Sequence, residues 1–156
     1  MSTTVATTDA IWFIDCLARV HVTGDECEGR LALIEMTASR GHMPPLHMHL
    51  AEDETFVLLE GAMTLYVGDD VRELLLGEVA FAPKNVPHTF RIDSETARWL
   101  VAATPGGFER FVAAAGRPAD GPWLPTEPVM PDPERFAEIC REFEIELLGP
   151  PGTLPS

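Results

Sequence analysis

Residues 41–61, GHMPPLHMHLAEDETFVLLEG, decide the fold that we predict for this chain of 156 residues. His47 and His49 are one residue apart, so on a strand both imidazoles project to the same face, with Cα atoms roughly 6.6 Å apart. That separation allows the two side chains to chelate one ion. Glu54 follows a polar turn and opens the next short run of strand-forming residues, from which it can reach the same ion. This stretch therefore predicts a metal site on neighbouring strands.

A second stretch, residues 77–88 with the sequence GEVAFAPKNVPH, ends in a third histidine that we expect to complete the site. Three imidazoles and one carboxylate suit iron, manganese, nickel, cobalt, copper or zinc, whereas calcium and magnesium prefer shells of oxygen alone. Such a set leaves coordination positions open, as catalytic sites do. The sequence thus predicts one divalent transition metal ion, against the alternative of a metal-free barrel. The predicted ligands are His47, His49, Glu54 and His88.

Other titratable side chains near these motifs have weaker claims to the ion. Glu52 and Asp53 are interpreted as solvated, although either competes with Glu54 as the ligand. The spacing after the histidine pair favours Glu54. His21 and His42 have no partners at useful spacing, and we interpret His42 as a loop residue near the rim of the site rather than a fifth ligand.

Short runs rich in Val, Leu, Ile, Phe and Thr fill residues 11–103, and Gly, Pro, Asp and Asn separate them. The connections are too short for parallel crossovers, so antiparallel pairing follows. This pattern predicts an all-β fold, a double-sheet jelly roll or small barrel, with short helices after it. The predicted strands are 12–22, 30–37, 54–59, 63–67, 72–75, 78–81, 88–92 and 98–103.

The chain divides into four predicted parts. Residues 1–10 are expected to form a flexible N-terminal arm, 11–103 the barrel, 104–148 a helical extension packed on it, and 149–156 a tail. In the extension we predict one helix over 108–115 and a second that opens with Asp132 as N-cap and Pro133 at its first position. The second helix has an apolar stripe that predicts packing on the barrel, formed by Phe136, Ile139, Cys140 and Phe143.

Charge and cysteine content narrow the functional classes. The 25 acidic and 11 basic side chains give a net charge of −14, which disfavours binding to nucleic acid or to anionic lipid. Cys16, Cys27 and Cys140 are odd in number and lack a C-x-x-C spacing, so we expect free, reduced thiols. The N-terminus has no basic segment followed by a long apolar run, and no stretch reaches the ~20 apolar residues of a membrane span. We therefore expect a soluble, cytoplasmic protein.

The two motifs resemble those of the cupin superfamily, whose fold is a double-stranded β-helix. The first motif matches at Gly41, His47, His49, Glu54 and Gly61, and the second at Gly77, Pro83 and His88. The second motif departs from the family in having Asn85 where Gly is usual and Ile92 where Asn is frequent. Because Asn tolerates the left-handed backbone conformation, we expect the turn at Asn85 to persist.

More narrowly, residues 44–61, 83–90 and 104–111 are similar to bacterial single-domain cupins of the quercetinase-like group. That resemblance implies a homodimeric dioxygenase that uses dioxygen on a flavonol-like or polyketide-like enolisable aromatic. It also implies that Glu54, besides binding the metal, is the base that takes the substrate hydroxyl proton. Apolar side chains on the inward faces are predicted to form a dry pocket, although each is equally interpretable as barrel core: Phe56, Leu58, Met63, Phe90 and Trp99.

Two other functions compete with the dioxygenase. One is a redox-neutral isomerase, cyclase or lyase of secondary metabolism, in which the metal is only a Lewis acid. The other is a non-catalytic cupin that binds a small molecule. A nucleic-acid-binding regulator is disfavoured, because the acidic chain has no basic helix.

Overall fold

A computed structural model describes residues 9–156, and within them twelve strands pair antiparallel in two sheets. The seven-stranded sheet has the order β11-β1-β2-β3-β10-β5-β8, and the five-stranded sheet has the order β12-β4-β9-β6-β7. The strands are β1 Ala10–Phe13, β2 Cys16–Val22, β3 Ala32–Ser39, β4 Leu46–His49, β5 Asp53–Glu60, β6 Met63–Val67, β7 Asp70–Leu74, β8 Val79–Ala82, β9 His88–Ile92, β10 Thr96–Thr104, β11 Arg117–Pro118 and β12 Ile145–Gly149.

Alternation of side chains along the strands creates the interior between the sheets. In β5, Glu54, Phe56 and Leu58 are buried while their neighbours are more exposed, and β10 buries Trp99 and Val101 in the same way. The inward residues of both sheets form one hydrophobic core. The predicted all-β jelly-roll fold is confirmed, and the inward position of Glu54 places a carboxylate in an otherwise apolar interior.

The first predicted strand, 12–22, was wrong in one respect, because it is a hairpin of β1 and β2. Phe13 pairs with Cys16, so Ile14 and Asp15 form a two-residue turn. Ile14 has φ 57, a conformation that β-branched residues seldom adopt. No Gly, Pro or Asn marks this turn, and the apolar run therefore conceals it. The predicted arm, residues 1–10, lies outside the described residues except for its last two positions.

The C-terminal extension contains the two predicted helices, α1 Phe108–Ala115 and α2 Pro133–Glu142. The side chain of Asp132 accepts the backbone N–H of Arg135 at 3.0 Å, which confirms the predicted N-cap. Phe136, Ile139 and Cys140 are buried, as the stripe predicts. No helix in the part that the structure describes is long and apolar enough to cross a membrane.

Strand β12 was not predicted. It pairs with β4, so that Ile145 lies opposite His49 and Leu147 opposite His47. Glu144, with φ 56, reverses the chain directly after α2 and sends it back along the edge of β4. The extension therefore completes the sheet that carries the first histidine motif.

The turns at the motif glycines have the conformation that the resemblance predicts. Gly61 has φ 88, and a Cβ there would lie 2.4 Å from the carbonyl oxygen of Thr96. Asn85 has φ 64, which confirms that Asn occupies the left-handed region in place of Gly. Its N–H donates to the carbonyl oxygen of His49 at 2.8 Å. The two motifs are thus hydrogen-bonded to each other beside the site. All three cysteines are free thiols, as predicted.

Candidate metal centre

Two neighbouring strands of the five-stranded sheet and one strand of the seven-stranded sheet bring the predicted ligands together. Strand β4 supplies His47 and His49, β9 supplies His88 directly opposite His47, and β5 supplies Glu54. The ring centroids of His47 and His88 are 4.4 Å apart, and those of His49 and His88 are 5.5 Å apart. The three imidazoles offer ligand nitrogens that all lie within 4.8 Å of one another. This cluster of four side chains is termed the metal cluster below.

The protein orients each imidazole through its Nδ1 atom. Nδ1 of His47 and of His88 donates to the backbone carbonyl two residues earlier, at 2.6 and 3.2 Å. Nδ1 of His49 lies 2.7 Å from the carboxylate of Glu52. A carbonyl or carboxylate oxygen only accepts, so the proton is on Nδ1 and the lone pair of a neutral ring is on Nε2. Such outer hydrogen bonds fix the tautomer that metal ligands need.

The inner atoms of the metal cluster lie close to one another but make no well-aligned hydrogen bonds among the described residues. Glu54 Oε1 approaches His49 Nε2 at 2.8 Å, and Glu54 Oε2 approaches His88 Nε2 at 3.4 Å. Yet His49 Nε2, His88 Nε2 and Glu54 Oε1 are fully buried without a well-aligned hydrogen bond among the described residues. Buried polar atoms normally find a partner. A transition metal ion bound by three nitrogens and one oxygen would satisfy these atoms, so the donor set fits the predicted cofactor.

Burial and the charges of neighbouring side chains shift the pKa values of His47, His49 and Glu54. Burial, reinforced by His88 and His49, lowers the pKa of His47 to about 3, which keeps this imidazole neutral and able to bind a cation. Burial also lowers the pKa of His49, but Glu54 and Glu52 outweigh that effect and raise it to about 10. A metal ion bound at Nε2 would displace the proton that this pKa implies. Burial raises the pKa of Glu54, yet His49 and His88 hold it well below its ordinary value. Glu54 is therefore a buried carboxylate anion.

The interpretation of Glu52 as solvated was wrong. Only 5% of this residue is exposed, because the turn after β4 folds its carboxylate back onto His49. Its contact is with the Nδ1 side of the ring, whereas Glu54 faces Nε2. Glu52 thus orients a ligand and does not compete with Glu54. Asp53, half-buried, accepts the backbone N–H of Lys84 at 2.8 Å and is also directed elsewhere.

A narrow cavity of about 60 Å³ adjoins the metal cluster and has a largely apolar wall. Three of the predicted pocket residues, Phe56, Phe90 and Trp99, line it. Leu58 and Met63 are fully buried but are not among its lining residues, since they lie farther along β5 and at the start of β6, in the core. The C-terminal extension supplies lining residues to which the sequence analysis gave no part in a pocket: Phe108, Phe111, Phe136, Cys140, Ile145 and Leu147.

A second cluster reaches the same cavity through one residue, His42. His42 lies in a loop as predicted, but its placement at the rim was wrong, because it is buried and stacks on Trp99 at 6.4 Å with an interplanar angle of 25°. Its Nδ1 hydrogen-bonds Asp15, and its Nε2 lies 3.3 Å from Cys16 Sγ. His42 therefore has partners that its sequence neighbourhood does not reveal, both contributed by the unpredicted β1–β2 hairpin. Asp15, Cys16 and His42 are termed the relay cluster below.

Comparison with known proteins agrees with this geometry. A family model described as a cupin domain matches residues 34–103, which include all four members of the metal cluster. Quercetin 2,3-dioxygenase from Bacillus subtilis (strain 168) is 26% identical over 136 residues. The match covers 87% of this chain, which spans 40% of the length of that relative.

Solved structures with the same fold include proteins of differing description. An RmlC-like cupin from Shewanella frigidimarina NCIMB 400 superposes with a TM-score of 0.57 at 14% identity, covering 70% of this chain and 96% of that one. The oxalate decarboxylase of Lactobacillus farciminis, in a formate complex, superposes with a TM-score of 0.55 at 19% identity. That match covers 66% of this chain and 32% of the decarboxylase chain. At such identities the likeness concerns the fold alone. Residues 34–103 thus match the cupin domain, and the chain as a whole is similar to the quercetinase-like cupins.

Proposed function

We propose that this protein is a mononuclear metal-dependent cupin enzyme, with His47, His49, His88 and Glu54 as ligands, and that it is a dioxygenase of enolisable aromatic molecules. One observation carries the proposal. Each of the three imidazoles is hydrogen-bonded through Nδ1 to a protein acceptor, which leaves its Nε2 as the ligand atom. The three ligand nitrogens and the Glu54 carboxylate lie together beside a cavity. A bound transition metal ion would supply Lewis acidity and a site where a substrate oxygen and dioxygen come together.

Glu54 is the group that would move a proton. It contributes the only carboxylate among the described lining residues of the cavity. Its pKa is low because His49 and His88 attract it, while burial acts in the opposite direction. A rotation that carries Glu54 away from His49, towards a substrate hydroxyl, would therefore raise its affinity for that proton. The residue is thus suited to act first as a ligand and then as a base.

The cavity wall would orient the substrate and exclude water. Phe56 and Phe90 pack at 5.7 Å between ring centroids, and Phe108 contacts His49 at 5.4 Å. Flat apolar surfaces of this kind favour a planar aromatic ligand over a flexible polar one. The relationship to quercetin 2,3-dioxygenase supports a flavonol-like or polyketide-like substrate with dioxygen as co-substrate.

Dioxygen uptake tests the reaction class. Metal-replete protein is mixed with quercetin in an oxygen-electrode cell, and one dioxygen is expected to disappear for each flavonol consumed. Turnover without dioxygen uptake would replace the dioxygenase with the redox-neutral isomerase, cyclase or lyase. Tight binding without turnover, unchanged in His47→Ala, would identify a non-catalytic binding protein instead.

We also propose that the protein is a cytoplasmic homodimer. Strand β8 is at the edge of the seven-stranded sheet, and its outward Val79 and Phe81 are exposed. Exposed apolar edge strands promote association and are usually covered. Sedimentation equilibrium of the wild type and of Phe81→Glu tests this part: a monomeric wild type would contradict it.

A further inference from the structure

The indole N–H of Trp99 is a buried donor without an acceptor in the part of the chain that the structure describes. Trp99 lies in β10, has no exposed surface and lines the cavity. Its Nε1 has no hydrogen-bond partner among residues 9–156. The other two indoles of the chain are both bonded, Trp12 to the carbonyl oxygen of Trp123 at 2.7 Å and Trp123 to the carboxylate of Asp120 at 3.0 Å. Trp99 therefore differs from both.

A buried N–H that stays unpaired destabilises the fold, and an apolar side chain of similar size would avoid that cost. Phe in place of Trp99 would keep an aromatic ring against Phe90, which contacts it edge-on at 5.4 Å. The donor is thus unnecessary for packing. In the wall of a cavity, such a donor is explained by a ligand atom that accepts from it.

Trp99 is separated from the metal cluster by a chain of aromatic contacts. Phe90 packs against Trp99 and, at 5.7 Å, against Phe56, and Phe56 reaches His88 at 6.4 Å. The cavity of about 60 Å³ is smaller than the sites that hold drug-sized ligands, so its walls must move apart for a planar molecule to enter. Lying along Phe56 and Phe90, such a molecule would have one end near the metal cluster and the other near the indole. The lining is chemically uneven, since it includes the ligands for a metal and also Trp99, whose indole N–H has no partner among the described residues.

The relay cluster holds the indole of Trp99 in place through His42. His42 stacks on Trp99, and Asp15 and Cys16 occupy its two nitrogens. His42 is thus a positioning residue that has no free nitrogen to offer a ligand. Trp99 remains as the donor at this end of the cavity.

We infer that Trp99 donates its indole N–H to an acceptor oxygen of the substrate, at the end remote from the metal cluster. This inference rests on the proposed function, in which the enolisable hydroxyl lies beside Glu54. It defines the substrate class further: an aromatic molecule with its reacting hydroxyl at one end and a hydroxyl, ether or carbonyl oxygen at the other. An analogue without the remote oxygen leaves the N–H unpaired and is discriminated against.

Indole ¹⁵N–¹H resonances test the inference directly, because the chain has three tryptophans and two of them are internal controls. Metal-replete protein labelled with ¹⁵N-tryptophan is titrated with quercetin, which carries hydroxyls on its fused ring system and on its phenyl ring, and with 3-hydroxyflavone, which keeps the reacting 3-hydroxyl and lacks the others. Quercetin is expected to shift the Trp99 indole proton downfield, while the Trp12 and Trp123 resonances stay in place. Trp12→Phe and Trp123→Phe assign the peaks without altering the site.

The outcomes separate this inference from the proposed function. If quercetin binds, as its own absorption band reports, and the Trp99 resonance does not move, the inference is overturned while the proposed function stands. If quercetin does not bind, the proposed substrate is wrong. The Trp99 resonance is then followed in a titration with acetophenone, an aromatic carbonyl without a chelating hydroxyl, and that titration tests the inference. A downfield shift with acetophenone supports it, and no shift overturns it.

Affinity gives a second measurement. Trp99→Phe keeps an aromatic ring and removes the donor, so quercetin should bind about tenfold more weakly to the variant while 3-hydroxyflavone binds with little change. An equal loss for both ligands would show a general effect on the cavity and would overturn the assigned hydrogen bond.

Discussion

The metal cluster and His42 of the relay cluster adjoin the same cavity, but the two clusters differ in whether their buried polar atoms are hydrogen-bonded within the described residues. In the metal cluster the Nε2 atoms of His49 and His88 are buried without a hydrogen bond in the described part of the chain. In the relay cluster Asp15 and Cys16 occupy both nitrogens of His42. The first cluster has buried polar atoms that a bound cation would satisfy, whereas both nitrogens of His42 in the second already have partners.

Residue type and proximity alone do not distinguish the two. Asp15, Cys16 and His42 also offer ligand atoms within 4.8 Å of one another. However, burial, together with the nearby Asp15, raises the pKa of the Cys16 thiol well above its ordinary value. A thiol that stays protonated is a poor metal ligand. The unpaired atoms, rather than the list of potential ligands, therefore separate a metal site from a hydrogen-bonded network.

The largest expected effect is the loss of metal binding when a ligand of the metal cluster is removed. The matching change of a histidine in the relay cluster is the control. His88→Ala should weaken metal binding by more than about 100-fold, because loss of a ligand costs more than loss of an orienting partner. His42→Phe keeps a ring against Trp99 and should leave metal content unchanged. Elemental analysis after gel filtration measures both, and circular dichroism checks that the strands persist. Undiminished metal in His88→Ala would refute the ligand assignment.

Glu54→Gln should separate binding from chemistry within the metal cluster. The amide keeps an oxygen donor, so some metal is retained, but it cannot take a proton, and turnover should fall by about 10²–10⁴-fold. Glu60→Gln, on the same strand but exposed, is the matched control. Wild-type turnover in Glu54→Gln would remove this residue from the catalytic role.

Glu52→Gln should have a smaller effect, because Glu52 touches the metal cluster only through His49. With a neutral acceptor at Nδ1, the Nε2 atom of His49 is a less basic ligand for the metal. The metal affinity should therefore fall by about 10–100-fold. Asp53→Asn, which alters the next residue along the chain, should have no such effect because Asp53 bonds to the backbone of Lys84. Competition with a chelating dye measures both affinities. Equal affinities in the two variants would show that Glu52 does not orient His49.

Much of this arrangement could be predicted because it depends on local spacing. The separation of His47 from His49 places both rings on one face of a strand, whatever else the chain does. Gly61 and Asn85 mark turns by a conformational preference that is a property of the single residue. The stripe of α2 is likewise a matter of periodicity. Most strands and turns, and the placement of His47 and His49 on one face, therefore follow from short segments alone.

What could not be predicted depends on contacts between distant segments. Asp15 is a turn residue in a run without Gly, Pro or Asn, and its partner His42 lies 27 positions away. Glu52 is buried only because its turn folds onto His49. Strand β12 exists as an added edge on β4, and its sequence has no alternation of its own. Each of these features requires knowledge of the partner before the residue can be interpreted.

The smallest expected effect concerns the relay cluster and its dependence on pH. Burial raises the pKa of Asp15, but the hydrogen bond and the electrostatic attraction to His42 outweigh it, so the pKa is lowered. A carboxyl whose pKa is lowered on folding stabilises the folded state above its unfolded value, about 3.9, and loses that contribution as the pH falls through the folded value. Asp15→Asn lacks this contribution at every pH.

Wild type should therefore be more stable than Asp15→Asn at about pH 6, and the difference should shrink towards about pH 3. Because the Asp15 side chain is 44% exposed, the difference should not exceed about 1 kcal/mol. Urea unfolding of both proteins at several pH values measures it, and the comparison cancels the other carboxyl groups. A difference that grew as the pH fell would mean that His42 does not stabilise the Asp15 carboxylate. Metal content should be the same in both proteins, since the relay cluster contributes no ligand.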